Sequence, residues 1–122
     1  MMRDCLVGLL LLGILSGCDT SSGPVMCTRE LRYGISMEVI NATSRIPSAA
    51  GATMTLSEAN YLESTVGIED TAVLFGAPER EGTYTVSVAR SGYHTWVQSH
   101  VVVTADECHV QTVSLTAELE PI

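Results

Sequence analysis

Gly82-Thr83-Tyr84-Thr85-Val86-Ser87-Val88 is the stretch that decides the fold. Tyr84, Val86 and Val88 stand at every second position, with Thr83, Thr85 and Ser87 between them. Successive side chains of a strand point to opposite faces, so this alternation predicts a strand over 83–90, buried on its Tyr/Val side. Gly92 breaks it. Outward from there the same period recurs. Ile35, Met37 and Val39 alternate with Ser36 and Glu38, and Ala52, Met54 and Leu56 alternate with Thr53, Thr55 and Ser57. Residues 60–67 alternate less sharply; Leu62 and Val66 give the predicted strand an apolar even face. A short apolar strand is expected over 71–75, and the last two over 95–104 and 110–119. Val110 has the opposite parity to Val113, Leu115, Ala117 and Leu119, which predicts a bulge near Gln111 or a sheet end covered on both sides.

Seven short strands, frequent turn residues and almost no helical period predict an all-β fold, a seven-stranded antiparallel β-sandwich. The turns fall at 41–47, at Glu69-Asp70 and at Glu79-Arg80-Glu81-Gly82, whose carboxylates read as solvated, as do Asp106 and Glu107.

Residues 5–17 form a Leu-rich run that is apolar all round, behind the short head Met1-Met2-Arg3-Asp4. Its thirteen residues fall short of the roughly 17–25 that a spanning helix needs and fit the apolar region of a signal peptide. The run ends in Leu15-Ser16-Gly17-Cys18, which resembles the lipobox of bacterial lipoprotein signal peptides. The resemblance implies that residues 1–17 are cleaved and that Cys18 receives diacylglycerol and then an acyl chain such as palmitate. Residues 18–26 would then be a flexible tether and 27–122 the domain. Asp19 resembles an inner-membrane retention signal, a rule that differs between bacterial lineages. The chain would sit in the bacterial cell envelope, facing the periplasm or the exterior.

The formal charge is −8, with no lysine in the whole chain. That balance argues against nucleic acid, whose phosphates are neutralised by Lys and Arg, and against a polybasic contact with anionic lipid. Membrane attachment would rest on the lipid alone. With Cys18 lipidated and Cys5 removed, Cys27 and Cys108 remain, and export predicts a bridge between them. Two free thiols and a metal site are the alternatives; the C-x-x-C and H-x₃-H spacings of zinc sites are missing.

A second likeness lies in the domain. Gly82-Thr83-Tyr84-Thr85-Val86-Ser87-Val88 followed by Gly92-Tyr93 resembles the G-x-Y-x-V-x-V…G-Y signature of carboxypeptidase regulatory-like domains. The segment Asn41…Ser44-Arg45-Ile46-Pro47 is similar to that family's D-x-x-T-G-x-P turn and departs from it at Arg45, where Gly is usual. The resemblance implies a prealbumin-like sandwich serving as an accessory, folding or binding module. The 5-hydroxyisourate hydrolases share such a sandwich, but their His/Arg set and Tyr-Arg-Gly-Ser ending are missing from this sequence.

Catalytic residues, a metal and a cofactor are not expected. His94 and His100 lie six residues apart on one predicted strand, roughly 20 Å at the usual rise, too far to share an ion. His109 neighbours the bridged Cys108. In the sixth strand Val97, Val101 and Val103 are expected to face the core, which would send His94, Trp96, Gln98 and His100 outward as a face for a sugar or protein partner. The competing reading is that Trp96 covers a sheet edge or packs under the loop at Asn60. The expectation is therefore a non-catalytic, monomeric binding or accessory domain on a lipid anchor. A purely structural envelope protein is the next reading, and a hydrolase with an unrecognised site the third.

Overall fold

The structure, a computed structural model, describes residues 25–122. The leader, Cys18 and most of the tether lie outside the described residues. Seven strands follow in order: β1 Tyr33–Asn41, β2 Thr53–Glu58, β3 Tyr61–Val66, β4 Val73–Pro78, β5 Gly82–Ala89, β6 Trp96–Val103 and β7 Val113–Leu119. They form two sheets, β4-β1-β7 and β3-β2-β5-β6. No helix occurs among the described residues.

The two sheets enclose one core. Ile35, Met37 and Val39 from one sheet meet Met54, Leu56, Tyr84, Val86 and Val88 from the other. These are the alternating positions of the sequence, and burying each large aliphatic side chain contributes about 1.5–3 kcal/mol. The Tyr84 hydroxyl donates to the Arg80 carbonyl, 2.8 Å away, so the one polar atom of this buried ring is satisfied.

Three expectations are corrected. The first is strand direction: β7 pairs with β1 in parallel, Ile35 opposite Val113 and Asn41 opposite Leu119, whereas the other strand pairs are antiparallel. Parallel pairing sets the segments that lead into β1 and β7 side by side, and there the Cys27–Cys108 disulfide closes, with Cα atoms 5.3 Å apart. The second concerns β3, whose Leu62 is 70% and Val66 61% exposed; Tyr61, Glu63 and Thr65 face inward instead. Polar inward groups are tolerated because β3 lies beside β4 and finds partners there. Glu63 accepts from the Tyr61 hydroxyl (2.6 Å) and the Ala77 N–H (3.0 Å), and the Thr65 hydroxyl donates to the Phe75 carbonyl (3.2 Å). Third, Val110 lies outside β7; it is buried in the preceding loop, bridged to Ala105.

Candidate functional site

Strand β6 carries the expected binding face, and a bulge rearranges it. Tyr84 pairs with Val101 but Val86 pairs with Gln98, so β6 holds one residue more than β5 over this interval. The extra length is absorbed at Ser99-His100, where His100 takes a left-handed φ of 59°. Beyond the bulge Val101 and Val103 are buried as expected. Before it the faces are exchanged. Trp96 lies opposite buried Val88 and is half-buried against the core, while Val97 lies opposite Ser87 and is 57% exposed. His94 lies before the strand, exposed, its N–H donating to the Glu120 carbonyl at 2.9 Å. The four residues therefore do not make one outward face.

A cluster missed in the sequence sits at the bridged end. Glu79 follows Pro78 with φ 48°, a left-handed conformation unusual for a non-glycine residue. Its carboxylate accepts from the Arg32 N–H (3.0 Å) and the Val110 N–H (3.3 Å) and lies 2.6 Å from His109 Nδ1. His109 Nε2 in turn lies 2.9 Å from the Thr28 hydroxyl. Desolvation pushes the Glu79 carboxyl up, but the hydrogen bonds from His109, Arg32 and Val110 together outweigh it and hold the pKa below the ordinary value. Asp106 accepts from the N–H groups of His109 and Cys108, both 2.8 Å, and these bonds keep its carboxyl low as well. Neither carboxylate is the merely solvated turn group expected.

The cluster borders an open depression of about 420 Å³. Hydroxyl, imidazole and carboxylate in line is the order that general-base activation of a hydroxyl requires. Here, however, the Cys108 and His109 N–H groups at this depression are hydrogen-bonded to Asp106 and so are not free as oxyanion donors. The arrangement also links the segment before β1 to the loop before β7. Sequence gave little signal for it, since Thr28, Glu79 and His109 are far apart and belong to no periodic pattern; the one cue was the acidic turn after Pro78. Among the described residues no group of three or more His, Cys, Asp or Glu is placed to hold a metal.

At the opposite end, Asn41 organises the turn after β1. Its Oδ1 accepts from the N–H groups of Thr43 (2.8 Å) and Ser44 (2.9 Å), and its Nδ2 donates to the Tyr93 hydroxyl (3.0 Å). That last bond, the largest cause, holds the Tyr93 hydroxyl below its usual pKa. Arg45 takes φ 66°, the conformation that glycine adopts without cost.

The outer side of the β3-β2-β5-β6 sheet differs from both ends. Its central strands present Thr53, Thr55 and Ser57 on β2 and Thr83, Thr85 and Ser87 on β5. A second depression, of about 360 Å³, lies beside the bulge, lined by Ser57, Glu58, Thr83, Thr85, Ser99 and His100. No family model and no curated protein matches this chain.

Proposed function

We propose that the chain is a bacterial lipoprotein, held in the envelope membrane by Cys18, whose β-sandwich acts as a non-catalytic binding or accessory module. The observation that carries the reading is the Cys27–Cys108 bridge beside the Thr28–His109–Glu79 cluster. Both fasten the residues that follow directly on the proposed 18–26 tether, as a domain presented from a lipid anchor would need. A disulfide also suits an exported chain. The likeness to carboxypeptidase regulatory-like domains belongs to this reading. It is supported by contact between the two quoted segments, Asn41 with Tyr93, and by the glycine-like backbone at Arg45.

Labelling cells with radioactive palmitate tests the anchor. The wild-type chain should take up label and fractionate with membranes, and Cys18→Ala should do neither. Label retained on Cys18→Ala would sink the proposal.

The Thr28–His109–Glu79 line favours one second reading, a hydrolase. An ester and peptide substrate panel run on the wild type and His109→Gln decides between the two. Turnover that disappears with His109→Gln would establish hydrolysis. Background rates in both, with lower stability in the variant, fit a clamp.

A further inference from the structure

We propose that the outer face of the β3-β2-β5-β6 sheet pairs with the same face of a second copy when both are anchored in one membrane. This rests on the lipid-anchor reading above. The chain carries a formal charge of −8, yet the outward positions of these four strands hold no Asp, Glu, Arg or Lys, and the one carboxylate bordering the depression there, Glu58, is paired with Arg80 at 2.9 Å. The β4-β1-β7 sheet, by contrast, turns Glu38 and Glu118 to solvent. Ser and Thr fill the centre of the neutral face. Its two edge strands carry aliphatic side chains, Leu62 and Val66 on β3 and Val97 and Val102 on β6, all more than half exposed.

Two strongly acidic bodies can meet over this face without opposing charge to charge. A twofold axis through its centre lays hydroxyls on hydroxyls and the aliphatic rim of one copy on that of the other, a self-complementary contact. Strand spacing and rise give about 400 Å² of footprint per copy. The roughly 800 Å² of the pair falls below what a stable solution dimer buries. Lipid anchoring supplies the difference by confining both copies to one surface, where the effective concentration is far higher. The domain is then monomeric when dilute and paired on the membrane.

The test is crosslinking of the full-length protein in isolated membranes with a short bis-maleimide. Thr55→Cys, at the centre of the face, should give a dimer-sized band. Thr116→Cys, on the outside of the other sheet, should give about tenfold less, and Ser87→Glu added to Thr55→Cys should lower the yield about tenfold by placing like charges across the axis. Raising the salt should increase the band, since the remaining surface repels. Equal yields from Thr55→Cys and Thr116→Cys, no product, or an adduct of another mass would overturn pairing. Palmitate uptake is read on the same membranes. Label without a specific dimer defeats pairing alone; absence of label removes the anchor reading and the pairing built on it.

Discussion

The two ends of this sandwich are held by different chemistry. The end where β1 and β7 begin has a covalent bridge and a set of ionised groups. Glu30, Glu58, Glu79 and Asp106 all have pKa values held low, and all four lie there. The end where those strands finish is held mainly by neutral bonds: Asn41 to its own turn and to Tyr93, Ala42 N–H to the Leu119 carbonyl at 2.8 Å, and Gly67 paired by backbone to Gly51 and Ala52; its one carboxylate pair, Arg45 with Glu118, is exposed. Gly67 comes so close to Ala49 that a Cβ would stand 1.9 Å from its carbonyl oxygen. Reductant thus acts on one end only and acid chiefly there, while the other responds mainly to shape.

The largest test of that contrast is to break the bridge. Replacing Cys27 and Cys108 with serine should lower stability by up to about 4.5 kcal/mol, the loop-closure value for the 81-residue separation. Urea unfolding with and without reductant measures it, and a loss below about 1 kcal/mol would move the weight to the Glu79 cluster.

Trp96 probes the other half of the molecule. Half-buried against the core, it should emit at an intermediate wavelength, and Trp96→Ala should cost about 2 kcal/mol, below the 3–5 typical of a fully buried aromatic. A red-shifted spectrum with no loss of stability would restore it to the outward face.

The acid response comes next. Glu79 has a folded pKa below its ordinary 4.5, so its stabilisation is complete above that value and is lost as pH falls through the folded pKa. Glu79→Gln should be less stable than the wild type at neutral pH and should converge with it in acid. Parallel stability curves down to low pH would show that the carboxylate contributes no linkage.

The smallest effect is expected at Arg45. Glycine in its place relieves a left-handed backbone that costs an ordinary residue about 1–2 kcal/mol. It also gives up an exposed ion pair with Glu118 (3.2 Å) and adds freedom to the unfolded chain. A gain below about 1 kcal/mol is the expected net, and Arg45→Val should be a clear loss.

Sequence made some of this visible and hid the rest for identifiable reasons. Ile35, Met37 and Val39 on β1 and Tyr84, Val86 and Val88 on β5 were legible because each strand has one apolar face, on which the Tyr84 hydroxyl is the one polar side-chain atom. In β3 the period was right and the face was wrong: alternation gives two faces, and Glu63 turns inward because Tyr61 and Ala77 are there to bond it. In β6 one extra residue at the bulge exchanged the faces, and no residue type announces it, since His100 is an uncommon choice for φ 59°. Strand direction leaves no trace in alternation, so the parallel β1–β7 pair could not be read. The Cys27–Cys108 pairing was expected by elimination. Its neighbours Thr28, Glu79 and His109 were not, because contacts between loops have no period.

The position of the bridge also sets how tension travels through the chain. A pull applied before Cys27 and resisted beyond Cys108 passes straight from one sulfur to the other, and strands β1 to β6 lie off that line. Without the bridge, the 81 residues of separation would pay out roughly 270–290 Å when fully drawn. With it, this stretch adds almost nothing to the extension, and in an oxidised domain a pull at the C-terminus bears on β7 alone, with its buried Ala117 and Leu119.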